Sequence, residues 1–276
     1  MKTIDAHTHI FPPELIKERS KVAARDSAFA NIYGDKRSRM IDAAGLLEYM
    51  EIENIDASVV CGFPFQDRGL VEMENDYILE EGRKNKNIIP LTVVNIEDEE
   101  CAINETERCF NRGARGVGEV ALYGKGLGKE EMRKLGSVAS IVEKNHSFLM
   151  IHINEQVGHV YNGKVPIDLI EVVRFIEAHR GIDIILSHLG GGLCFYEFMP
   201  EIKKAFVHVY YDMAAIPLIY SDEIYHFIEG FLSEKTLFGS DYPLLSIERY
   251  REGIRNMGED RRRRILYANA RRVFWK

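Results

Sequence analysis

Two rhythms of apolar residues alternate along the chain. Short, nearly continuous apolar runs fit strands buried on both faces. They fall at 3–9, 57–62, 88–94, 115–120, 148–152, 182–187, 207–211 and 236–239. Longer stretches with an apolar residue every three or four positions fit amphipathic helices. These lie near 42–54, 72–85, 98–111, 130–144, 166–179, 196–204 and 221–232, with two more near 247–256 and 260–273. Local signals support the pattern. Asp42 and Ser221 are placed to cap helices, and Pro166 suits a first helical turn. Leu46, Leu47 and Met50 form one apolar stripe, and Met132, Leu135, Val138 and Val142 another. The stretch 10–41 is too long for an ordinary connection, and such segments often form lids or substrate walls.

Strands that alternate with helices imply parallel pairing through right-handed crossovers. Eight such units predict a closed (β/α)8 TIM barrel, one domain over 1–276 with an insertion near 10–41. The competing fold is an open doubly wound sheet. Its dinucleotide fingerprint is missing, because Gly124, Gly126 and Gly128 have the wrong spacing and follow the fourth run.

Composition narrows the function classes. The chain has 276 residues, 46% of them hydrophobic, and a net charge of −7. That balance disfavours a nucleic-acid partner, which would need many phosphates neutralised. Cys61, Cys101, Cys109 and Cys194 show no C-x-x-C pairing and read as reduced thiols. No apolar run approaches the ~20 residues that span a membrane. The start of the chain reads as a strand rather than a secretory leader. The expectation is a cytoplasmic protein with no membrane partner; association with further copies of itself is left open.

Chemistry concentrates at the carboxyl ends of the apolar runs. His7 and His9 are two apart on the first run, so both imidazoles face one side. Glu119, His152, His188 and Asp241 follow at the ends of the fourth, fifth, sixth and eighth runs. A parallel barrel gathers all those ends at one mouth, where active sites of this fold lie. Imidazole and carboxylate together suit zinc and its neighbours. Asp5 has the parity of His7 and is expected to orient a ligand by a hydrogen bond. Plainer readings stand beside these. Glu119 could pair with Arg115, His188 could anchor a turn, and Asp241 could cap the segment after it. Gly190, Gly191 and Gly192 could form an anion nest or only a sharp turn. Phe63, Phe65, Tyr123 and Tyr161 could wall a pocket or pack a rim. His159 reads as a plain loop residue, His208 as structural, and His146, His179 and His226 as surface or packing residues. Arg261 to Arg264 read as a solvated face.

These residues resemble the amidohydrolase superfamily. The similarity lies in Ile4-Asp5-Ala6-His7-Thr8-His9, Ile151-His152, Ser187-His188-Leu189-Gly190-Gly191, Gly239-Ser240-Asp241-Tyr242-Pro243 and the tail from Ile265 to Phe274. The branch it most resembles is that of aminocarboxymuconate-semialdehyde decarboxylase. Gly118-Glu119 is instead similar to TatD-like hydrolases, where the glutamate helps bind a second metal. The decarboxylase-like pattern implies one ion on His7, His9, His152 and Asp241, with His188 as base. The TatD-like pattern implies two ions: His7, His9 and Asp241 on one, His152 and His188 on the other, bridged by Glu119. Contact of all six with metal is the expectation adopted. The ion expected is zinc, one or two per chain, with manganese or another divalent ion as alternatives. The implied activity is hydrolysis of a small amide, ester or lactone by metal-activated water, with Asp241 and His188 as acid–base groups. The alternatives are a non-oxidative decarboxylase, a TatD-like phosphodiesterase and a non-catalytic metal-binding protein.

Overall fold

A computed structural model describes residues 1–275. The strands β1 (Ile4–His9), β2 (Ala57–Cys61), β3 (Ile88–Thr92), β4 (Gly116–Val120), β5 (Phe148–Ile151), β6 (Asp183–Leu186), β7 (Val209–Asp212) and β8 (Thr236–Leu237) pair in parallel in that order. β1 closes the ring onto the segment after β8. Ala6 N donates to Phe238 O at 2.7 Å, His9 N to Tyr242 O at 2.7 Å, and Asp241 N to His7 O at 2.9 Å. The result is the expected (β/α)8 barrel. Every strand residue is buried. That explains why these runs are apolar throughout rather than alternating.

Inside the ring, Ile4, Ala6, Val59, Cys61, Leu91, Phe148, Met150, Ile185, Tyr210 and Leu237 fill the lower barrel. Val273 and Phe274 of the last helix, Asn269–Phe274, join them and plug the amino end. The upper end is left to polar residues.

Helices surround the ring. α1 (Pro13–Lys17), α2 (Arg19–Arg25) and α3 (Ser27–Tyr33) lie in the 10–41 excursion. α4 (Ala43–Glu53), α5 (Arg68–Lys84), α6 (Glu99–Asn111), α7 (Lys129–Lys144) and α8 (Leu169–Ala178) are crossover helices. Asp42 accepts from Gly45 N and caps α4 as expected. The α8 expectation needs correction. Asp168, not Pro166, starts it, because its carboxylate accepts from Ile170 N and Glu171 N. Nor does Ser221 cap its helix. The helix runs Glu223–Phe227 after Asp222 and then widens into a π turn at Ile228–Leu232. The 196–204 stretch divides into 3-10 turns ending at Phe198 and a short helix, Pro200–Ala205, with proline in its first turn.

The excursion has a core of its own. Phe11, Leu15, Val22 and Phe29 pack against Phe63, Phe65 and Val71 beside the mouth. Opposite it stands the loop between β5 and α8. Two amides join the segments reciprocally: Asn31 Nδ2 donates to Asn162 O at 2.7 Å and Asn162 Nδ2 to Asn31 O at 2.9 Å.

Candidate active site

Two extra residues in the ladder aim the first side chains. β1 pairs with β2 as Ile4↔Ala57 and Asp5↔Ser58, then Thr8↔Val60 and His9↔Cys61. One residue is therefore inserted between Asp5 and Thr8. Such a bulge reverses the inward–outward alternation. Ile4 and Ala6 face the interior below it, and His7 and His9 above. β4 carries a second bulge between Val117 and Val120, which pair with Leu149 and Ile151. Val117 and Val120 both pack outward, and Glu119 turns inward between them. His152 continues the inward parity of Phe148 and Met150. His188 and Asp241 adopt the left-handed region, with φ of 56° and 62°. Side chains rarely sit there, and such positions cluster at functional sites.

All six expected side chains meet at the mouth. Each of the four imidazoles gives its outer nitrogen to a group that can only accept. His7 Nδ1 donates to Asp212 Oδ2 at 2.8 Å and His9 Nδ1 to Cys61 O at 3.1 Å. His152 Nε2 donates to Gly163 O at 3.0 Å and His188 Nδ1 to Ala214 O at 2.9 Å. That leaves the inner nitrogens as the ones that can turn a lone pair toward a cation. They face one another and two carboxylates. His7 Nε2 lies 3.0 Å from His9 Nε2, and His188 Nε2 lies 3.2 Å from His152 Nδ1. Asp241 Oδ1 is 3.4 Å from His9 Nε2. Glu119 stands between the pairs: Oε2 is 3.7 Å from His7 Nε2, while Oε1 is 3.2 Å from His152 Nδ1 and 3.5 Å from His188 Nε2. Four ring nitrogens and two carboxylates converge, five of the six groups buried, and such a cluster must take up positive charge, as protons or as a cation. The donors sort into two groups able to hold an ion: His7, His9 and Asp241, and Glu119, His152 and His188.

Acid–base equilibria reflect the same demand for positive charge. Burial opposes protonation of His7, yet the negative charges of Glu119 and Asp212 prevail and raise its pKa to about 10. Burial likewise opposes the charged form of His188, but its hydrogen bond to Glu119 and that group's charge raise it to about 9. Burial disfavours ionised Asp241, but the hydrogen bond with His9 and the nearby imidazoles lower it to about 2. Glu119 also falls well below its ordinary range: burial opposes ionisation, and the charges of His152 and His7 overcome it.

Above the cluster opens a cavity of about 520 Å³. Its floor includes His9, Glu119, His152, His188 and Asp241, and its walls include Tyr33, Phe63, Tyr123 and Tyr161. Among the lining residues, Arg39 is the sole lysine or arginine. The amidohydrolase family model matches residues 4–275.

The chain belongs to the amidohydrolase family.

Solved structures with the same fold span nearly the whole chain. The 5-carboxyvanillate decarboxylase of Sphingomonas paucimobilis superposes with a TM-score of 0.76 at 17% identity, covering 99% of this amidohydrolase and 98% of that chain. A 2,6-dihydroxybenzoate decarboxylase from Rhizobium gives 0.68 at 17% identity, covering 99% and 98%. The 5-carboxyvanillate decarboxylase of Novosphingobium aromaticivorans, solved with manganese and 4-hydroxy-3-methoxy-5-nitrobenzoic acid, gives 0.77 at 15% identity, covering 99% and 96%. At these identities the likeness is one of fold. Among curated proteins, none matches the chain.

Several secondary readings can now be placed in the amidohydrolase. Asp5 does not orient an imidazole. The β1 bulge turns it away from the mouth, where its carboxylate accepts from Ser240 N at 2.9 Å, Ser240 Oγ at 2.6 Å and His7 N at 3.3 Å. Burial raises its pKa to about 7 against those hydrogen bonds. Arg115 does not pair with Glu119; it donates to Phe274 O at the other end of the barrel. Phe65 lies behind the wall, stacked 5.5 Å from Phe29, whereas Phe63, Tyr123, Tyr161 and His159 line the cavity. Gly190, Gly191 and Gly192 all have positive φ and form the sharp turn after His188. Gly191 is irreplaceable by geometry, since a Cβ there would lie 2.4 Å from Asn154 O. The sequence reading missed Asp212, the buried partner of His7. It ends β7 with the inward parity of Tyr210, a signal already present in the strand-end pattern.

Proposed function

We propose that the chain is a divalent-metal-dependent decarboxylase of a small planar carboxylic acid. The observation that carries this reading is a cavity walled by aromatic rings, with a cation site at its floor and a single arginine at its rim. Four imidazoles and two carboxylates suit zinc and manganese alike. The cation, when bound, supplies a Lewis acid for an acid's oxygens and for the negative charge left when carbon dioxide departs. The chain's own residues do the remainder. Phe63, Tyr123 and Tyr161 offer flat apolar surfaces to a ring or conjugated chain. Arg39 offers a counter-charge. Asp241, ionised beside His9, takes a proton from the substrate and returns it to the carbon whose bond to the carboxyl group has broken. His188 holds its ring through Ala214 O and keeps its inner nitrogen toward the reaction. The three structurally similar proteins named above are decarboxylases, which supports this choice.

One observation favours a second reading, hydrolysis. Glu119 presents one oxygen to each ligand group, the position of a carboxylate shared by two ions. Two-ion sites commonly activate water against a carbonyl or phosphoryl group. A polymeric phosphodiester is the weakest substrate for such a site, because only Arg39 among the lining residues could neutralise a phosphate chain.

The test is turnover by protein loaded with manganese or zinc. Hydroxybenzoates and conjugated acids are followed by carbon dioxide release; esters, lactones and amides are followed by incorporation of labelled water oxygen. Carbon dioxide release supports the first reading and label incorporation the second. His152→Ala and Asp241→Ala are expected to abolish turnover while melting as folded proteins. Retained turnover in both would remove the site from consideration.

A further inference from the structure

We infer that Asp212 is a positioning residue that sets the tautomer of His7 and ties both halves of the ligand cluster to one carboxylate. The inference concerns the ligand set and rests on the reading of that set as a cation site. Asp212 is fully buried at the end of β7. Its two oxygens have separate tasks. Oδ2 accepts from His7 Nδ1 at 2.8 Å. Oδ1 accepts from His188 N at 2.9 Å and Ala214 N at 3.0 Å. Three donors thus converge on one carboxylate, and no lysine or arginine pairs with it among the described residues.

The consequences differ on the two sides. On the His7 side, a proton held on Nδ1 leaves Nε2, which faces His9, as the nitrogen that can give its lone pair to a cation. On the His188 side, the carboxylate fixes the backbone of a residue in the left-handed region, and Ala214 O, two residues along, fixes its ring at 2.9 Å. The turn at 212–214 therefore sets a ligand from β1 and another that follows β6. Gly239 makes room for the pairing: a Cβ there would lie 2.9 Å from His7 Cβ and 3.3 Å from Asp212 Cβ. Asp5, the other buried carboxylate nearby, touches His7 only through the backbone nitrogen, so ring orientation falls to Asp212.

Asparagine is the informative replacement because it has the same shape and loses one acceptor. In Asp212→Asn, the amide oxygen stays with the two backbone N–H groups, since an NH2 there would face two donors. The NH2 then meets His7 Nδ1, which must accept. The proton moves to Nε2 and blocks the nitrogen that faces the ligand cluster. The effect parallels the loss of function when a carboxylate that orients a catalytic imidazole is made an amide. Asp212→Ala instead removes both acceptors: the two backbone donors lose their partner, and His7 is free to choose either tautomer.

The two variants should rank oppositely in two measurements. Melting temperature should fall further in Asp212→Ala. Affinity for Zn²⁺ or Mn²⁺, measured by chelator competition, should fall further in Asp212→Asn, by about 10–100-fold from the natural protein. A residue serving stability alone would give the same ranking in both. The third measurement is the ¹⁵N spectrum of His7 in metal-free protein: Nδ1 should be protonated in the natural chain and unprotonated in Asp212→Asn. That signature stands even if the natural chain takes up neither ion, an outcome that would sink the cation reading instead. An unaltered Nδ1 signal in Asp212→Asn, or affinity losses that track stability losses, would overturn the assignment.

Discussion

Glu74 offers a pH-dependent test that avoids the metal site. It lies in α5, fully buried behind Phe63. Its Oε1 accepts one long hydrogen bond, 3.4 Å from Phe63 N, and its Oε2 has no partner. Burial pushes its pKa well above the ordinary 4.5, with only the Phe63 bond opposing. The folded chain therefore keeps a proton that the unfolded chain releases at ordinary carboxylate pH. Stability from this group is complete below the unfolded value and is lost as pH rises toward the folded one. The slope is about 1.4 kcal/mol per pH unit within that window. For a chain of 276 residues, the usual unfolding entropy per residue converts this to about 2–3 °C per unit. Glu74→Gln keeps the shape and cannot ionise, so its own contribution is independent of pH. Thermal melts of both proteins from about pH 5 to about pH 7 should diverge upward in favour of the variant. Asp5, His7 and His188 also titrate, but both proteins share them, and the difference between curves isolates Glu74. Parallel curves would refute the reasoning.

Three further perturbations probe the mouth. Gly191→Ala should lower the melting temperature by at least ~3 °C, because the left-handed backbone alone costs about 1–2 kcal/mol before the contact with Asn154 O; an unchanged melt would contradict it. Arg39→Ala should raise KM for acid substrates by up to about fivefold, ~1 kcal/mol being the upper end for an exposed ion pair. Uncharged analogues assayed beside them should bind as before, and an equal loss for both would remove Arg39 from substrate recognition. If two ions bind, Glu119→Gln should reduce the metal content by elemental analysis from two per chain to one, since His152 and His188 would keep no anionic partner; a content of two in the variant would show that Glu119 is not shared.

Hydrophobic periodicity carried the architecture because barrel strands are buried on both faces and their helices on one. The chemistry was legible for a related reason: a closed parallel ring admits polar side chains only at its ends, so residues such as His152 and Asp241 stand out after apolar runs. Parity was harder to read. The bulges in β1 and β4 leave no mark in composition, yet they decide that Asp5 turns outward and Glu119 inward. Asp212 directly follows the seventh run, 207–211, as His188 follows the sixth, so its place in the cluster is legible in the same pattern. The cap at Asp168 is local chemistry, its carboxylate accepting from Ile170 N and Glu171 N, with Pro166 offering a competing earlier start; the helix after Asp222 has no side-chain cap to read.

The paired amides of Asn31 and Asn162 have a consequence for traffic. By joining the excursion to the loop opposite, they make the entrance an arch rather than an open bowl. Neither limb can swing away without giving up both hydrogen bonds, so the doorway keeps its width unless that pair opens.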